Sequence, residues 1–223
     1  MKSYLLILAI IMVSALPALS QGTATAEDKE AAYTRTITSR AEKIVTALNI
    51  SDPEKSARLV TTIAGQYRNL NTIHTRRDEQ IKSIKSSTEN QEIQSVKIKS
   101  AEAEANVQLE KLHTSYLEQL SKELSPSQVD QVKDGMTYGV LPITYKGYQE
   151  MIPSLTAAQK EQILLWLTEA REHAMDAESS EKKHGWFGKY KGRINNYLSA
   201  AGYDLKKEGE AWEKRRQEAK KTN

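Results

Sequence analysis

The sequence predicts an all-α protein, and three observations carry that prediction. Apolar residues recur at three- and four-residue spacing along most of the 223-residue chain. Period-two alternation bounded by turn residues is missing, so no strand is expected. Three helix starts are written in capping residues, at Asp52, Ser125 and Thr156.

The elements follow in order. Met1–Ser20 reads as a signal peptide, with Lys2, an apolar run from Leu5 to Val13, and Ala18-Leu19-Ser20 before Gln21. The run is too short and too weakly flanked for a stable membrane anchor, so an exported, periplasmic or secreted protein is expected. Residues 21–223 read as a single all-helical domain, a hairpin region 21–122 followed by an aromatic-rich region 123–223. The absence of cysteine rules out disulfides, thiolate metal sites and a lipid-modified cysteine.

A first helix spans about Glu27 to Leu48. Asp52-Pro53 supplies an N-cap and a proline at the first helical position, where its missing N–H costs nothing. In the helix that follows, Val60, Ile63, Tyr67, Leu70, His74, Arg77, Ile81 and Ile84 alternate at spacings of three and four. That is a coiled-coil-like seam with two polar interruptions. A turn over Ser86–Asn90 leads to a third helix with Ile98, Ala101, Ala105, Leu109, Leu112, Tyr116 and Leu120 on one side. The two form a long αα-hairpin.

Ser125-Pro126-Ser127-Gln128 and Thr156-Ala157-Ala158-Gln159 are capping boxes, in which hydroxyl and glutamine satisfy each other's exposed amides. Between them, Thr137–Pro153 holds Gly139, Pro142, Gly147 and Pro153 beside Tyr138, Tyr145 and Tyr148. Glycine and proline at this density predict an ordered loop. Helices over about 157–183, 189–201 and 205–218 complete the chain.

Charge is uneven. The formal net charge is +3, yet residues 182–223 carry twelve Lys or Arg against five Asp or Glu. A basic region in an exported protein points to acidic glycans, anionic lipid or cell-wall polymers before nucleic acid. From Lys206 onward a solvated cationic tail is an equal reading.

Ten of the fourteen aromatics lie between Tyr138 and Trp212, which places the candidate site in the C-terminal half. On the helix from Ala157, a polar line of Glu169, His173, Asp176, Ser180 and His184 borders an apolar stripe that includes Trp166 and Leu167. Glu169, His173 and Asp176 are the candidates for acid–base work. Glu169–His173 and Asp176–Lys183 also read as ordinary surface pairs worth little. No recognised ligand spacing or cofactor fingerprint occurs, so no metal and no cofactor are expected.

Further on, Phe187, Tyr190, Ile194, Tyr197, Leu198 and Ala201 keep helical spacing and read as core. Trp186, Lys189, Arg193 and Asn196 lie off that stripe as ligand candidates, joined by His184, Tyr138 and Tyr145. Trp186, between Gly185 and Gly188, is expected on a non-helical corner. Aromatic stacking with amide and guanidinium donors suits sugars, and Arg193 could pair with a uronic-acid carboxylate.

Two resemblances follow from these residues. Glu172–His184, the following Gly-Trp-Phe-Gly-Lys-Tyr-Lys-Gly-Arg-Ile-Asn-Asn-Tyr-Leu, and Met136-Thr137-Tyr138-Gly139-Val140 resemble an uncharacterised family of exported bacterial proteins. That family is labelled putative sugar-binding and linked to polysaccharide utilisation. The resemblance implies a carbohydrate partner, without separating binding from hydrolysis or lysis. Leu124-Ser125-Pro126-Ser127-Gln128 and Leu155-Thr156-Ala157-Ala158-Gln159 resemble the Leu-Thr-x-x-Gln signature of small helical periplasmic chaperones, which implies client binding instead.

Overall fold

A computed structural model describes residues 25–221; the signal-peptide segment lies outside them. Among the described residues the fold is all-α, with no strand. The helices are α1 (Ala26–Ala47), α2 (Pro53–Lys85), α3 (Gln91–Glu123), α4 (Pro126–Met136), α5 (Val140–Met151), α6 (Ala157–Met175), α7 (Ser180–Ala200) and α8 (Leu205–Lys221).

The expected caps form. The Asp52 carboxylate accepts from the amides of Glu54 and Lys55. Ser125/Gln128 and Thr156/Gln159 close reciprocal capping boxes at α4 and α6. α2 and α3, each 33 residues and so about 50 Å long, make the hairpin and turn over just before the N-cap Asn90.

Among the described residues, two clusters of buried side chains organise the fold. In the first, Ile44, Leu59, Ile63, Leu70, Tyr116, Leu120, Val132 and Met136 join α1 to α4, and Met175 enters from the end of α6. In the second, Tyr148, Ile163, Leu167, Phe187, Ile194 and Leu198 join α5, α6 and α7. Met175 thus plugs one core while the rest of α6 builds the other. α6 and α7 lie antiparallel, since Trp166 meets Tyr197 while His173 meets Trp186.

The structure corrects two of the expected elements. Thr137–Pro153 is largely helix rather than loop: α5 occupies Val140–Met151. Pro142 sits at its third position, where an amide has no intrahelical partner to lose. Tyr138 (φ 60°) and Gly139 (φ 64°) are both left-handed, and this pair makes the sharp turn between α4 and α5. Gly139 also donates its amide to Asp134 O at 2.8 Å, closing α4.

The second correction moves a helix break. α6 stops at Met175 instead of running to Lys183, and α7 begins at Ser180, where the Ser179 hydroxyl accepts from the Lys182 amide. Gly185 and Gly188 therefore lie inside a helix, and Trp186 is not on a non-helical corner. Among the described residues nothing lies within 4 Å of a Cβ placed on either glycine. A strong N-cap with Phe187, Tyr190 and Ile194 buried behind it outweighs a helix penalty of about 1 kcal/mol per glycine.

Candidate functional site

The break at Asp176–Ser179 opens a groove of about 950 Å³ between α2, α3, the end of α6 and the first turns of α7. Its walls carry His74 and Arg77 from α2, Glu110 and His113 from α3, Glu172, His173 and Asp176 from α6, and Lys182, Trp186 and Lys189 from α7.

His113 stands between two carboxylates, with Nδ1 2.8 Å from Asp176 Oδ2 and Nε2 3.3 Å from Glu172 Oε2. The Asp176 oxygen lies off the ring N–H axis, leaving Nδ1 without an aligned hydrogen bond, so this contact acts by charge. Asp176 first, then Glu172, hold the imidazole pKa up at about 9 against burial, so His113 is a cation at neutral pH. Burial alone would raise Glu172, but His113 and Lys133 bring it down to about 2. Lys133 donates to the same Glu172 oxygen at 2.9 Å.

Other buried charges tie the surrounding helices together. The Arg171 guanidinium, 7 % exposed, reaches Asp130 at 2.6 Å and Asp134 at 2.9 Å, tying α6 to α4. Arg77 Nη1 lies 3.0 Å from His74 Nδ1, and a guanidinium offers no acceptor, so Nδ1 accepts. His74 therefore carries its proton on Nε2 and donates it to the Asp176 carbonyl at 2.7 Å. This bond joins the hairpin to the residue that caps α6. Among the described residues Glu172 Oε1 and Asp176 Oδ1 are buried with no hydrogen-bond partner, and Arg171 Nε lies 3.5 Å from the former.

The lip of the groove is aromatic. The His173 imidazole and Trp186 ring stack with centroids 4.4 Å apart and planes 18° from parallel. Lys189 Nζ lies 5.1 Å from the Trp186 centroid.

Of the residues singled out from sequence, His173, Asp176, Trp186 and Lys189 meet in this groove. Glu169 stands apart from them, 3.8 Å from Arg193, and Arg193 covers Trp166 at 4.6 Å. Tyr138 and His184 stack on each other at 5.4 Å, away from the groove lining. Tyr145 packs against the second core, and Asn196 is exposed on α7. The polar line drawn on one helix is broken, because Asp176 ends α6 while Ser180 and His184 belong to α7. Nor is Asp176–Lys183 a surface pair: Lys183 is 5 % exposed and donates to Met175 O at 3.0 Å.

Sequence reading missed His74, Arg77, His113 and Glu172. Glu172 and Asp176 are one turn apart, a signal that was legible. His113 carries no such signal, being one polar residue at the edge of an apolar stripe. Among the described residues no group of His, Asp or Glu is arranged to hold a metal ion, and no helix is long and apolar enough to cross a membrane.

A family profile described as "Protein of unknown function (DUF3826)" matches residues 34–218. The match takes in most of the chain, and the chain belongs to that family. No curated protein matches it.

Proposed function

We propose that the protein is an exported carbohydrate-binding or accessory protein of polysaccharide utilisation, and that the groove takes an acidic glycan. The observation that carries this reading is the Trp186–His173 stack with Lys189 above it, set at the lip of a groove with a charged floor. The exposed part of the Trp186–His173 pair offers an apolar contact for a pyranose, while Lys182 and Lys189 supply cations for a uronate carboxylate. Export rests on the Met1–Ser20 segment. The charged floor is engaged in its own ion pairs, which suits a rigid binding site better than a proton-transfer site poised near pH 7.

Calorimetric titration with uronic-acid oligosaccharides tests the proposal, with Trp186→Ala as the control for the stack. Saturable binding that the variant loses supports it. Failure of every uronic-acid-containing glycan to bind overturns it.

One observation favours a second reading, a glycan-active hydrolase or lyase. Asp176 and Glu172 flank a protonated His113 inside the groove, a carboxylate–histidine pairing different from the Glu169–His173 pair expected from sequence. Product analysis after incubation with pectic oligosaccharides separates the two; an unchanged mixture removes the enzyme.

A further inference from the structure

We infer that the α6–α7 seam is an extended track for a linear poly-uronate oligosaccharide, of which the groove holds one end. The inference rests on the carbohydrate reading above and adds the form of the ligand and the direction in which it lies.

Beyond the groove, the two helices continue to pair across one face. His173 meets Trp186 at 4.4 Å and Tyr190 at 6.3 Å. Glu169 then meets Arg193 at 3.8 Å, and Trp166 meets Arg193 at 4.6 Å and Tyr197 at 5.3 Å, edge-on. From Trp186 to Tyr197 this ladder runs about 16 Å along α7.

The same helices bury a neighbouring face in the second core, and the ladder packs along the edge of that core. Ile163, Leu167, Ala170 and Ala174 bury against Phe187, Ile194 and Leu198. The ladder stays at the edge: Trp166, Trp186 and Tyr197 are half-buried, and the Arg193 side chain is 57 % exposed.

Each tryptophan on the ladder carries a cation over its ring, Lys189 on Trp186 and Arg193 on Trp166. The two cations are four residues apart on one helix, so they share a face one turn apart. Neither is spent on a strong ion pair: Arg193 has only Glu169, beyond hydrogen-bond reach, and Lys189 has none among the described residues. Each cation, with the exposed part of the ring it covers, offers one carboxylate partner and one apolar patch. Repeated at successive turns, they match a chain bearing a carboxylate on successive units. A neutral chain would use the rings and leave the cations idle.

The test is calorimetry with uronate oligomers of increasing length, repeated with neutral oligomers of the same lengths. Affinity is expected to rise with length and then level off once the track is filled, and the neutral series to bind more weakly at every length. Arg193→Gln, an exposed substitution checked for folding by circular dichroism, should lower affinity for the long uronates about tenfold, the loss of one charge-assisted contact. It should leave the shortest binding oligomer unchanged. Length-independent affinity, or equal loss for short and long oligomers in Arg193→Gln, overturns the track while the groove reading stands. Absence of binding at every length overturns both.

Discussion

Nδ1 of His113 and Oδ2 of Asp176 lie 2.8 Å apart, joining the middle of α3 to the residue that caps α6. With Glu172 on the other nitrogen, this contact fixes the wall of the groove and couples it to pH. The folded pKa of about 9 stands above the ordinary 6.5. The stabilisation is therefore fully present below pH 6.5 and lost as pH rises through 9. Its full size is at most on the order of 3 kcal/mol, reduced by solvent screening in the open groove. In urea denaturation, the stability gap between the native sequence and His113→Gln should be wide at pH 6 and nearly closed at pH 10. A gap that does not change with pH rejects the ion-pair account.

Lys183 titrates in the opposite sense. Burial lowers its pKa from 10.5 to about 8, with Asp176 partly opposing. A depressed lysine costs stability wherever it is charged, so the penalty is full below pH 8 and relieved as pH climbs toward 10.5. Lys183→Met is expected to stabilise the protein by about 1–3 kcal/mol at pH 7, less at pH 10. The partial offset is the Met175 carbonyl, which loses its donor. Thermal melts at both pH values check this; destabilisation at pH 7 would show that the amine's bond to α6 outweighs its desolvation.

Neighbouring aromatics on α7 separate stability from recognition. Phe187 is 1 % exposed in the second core, and Phe187→Ala should cost about 3–5 kcal/mol. Trp186 is half-buried on the groove lip, and Trp186→Ala should cost about 1 kcal/mol while removing glycan binding. Chemical denaturation beside calorimetry reads both, and equal destabilisation would make Trp186 a core residue.

Two helical glycines should respond in opposite directions. A Cβ at Gly135 would lie 2.8 Å from Ile44 Cγ1, in the contact between α1 and α4. Gly135→Ala should therefore destabilise by about 1–3 kcal/mol despite alanine's better helix propensity. Gly192 faces open space inside α7, and Gly192→Ala should stabilise by about 0.5–1 kcal/mol. Melting temperatures moving the same way would reject this difference.

The capped helix starts at Asp52, Ser125 and Thr156, the α2–α3 hairpin and the buried stripe of α7 were all legible in the sequence. Each depends on interactions within a few residues or on one repeating period. The α5 helix was not, because Pro142 and Gly147 read as breakers until Leu141 and Tyr148 are seen buried in the second core. Tertiary packing overrode propensity there.

By itself, the sequence determined that the chain is helical, where most helices begin, and that aromatics and cations gather on α7. Only the tertiary structure decided which of them share a site. His113 is 63 residues from Asp176 in sequence, and His74 is 102 residues from it, yet both meet its short cap. Chain-local chemistry sets caps and periodicity, but it carries no term for contacts between distant helices. Those follow from burying the two apolar cores, which draws α2, α3, α6 and α7 together and opens the groove where α6 ends.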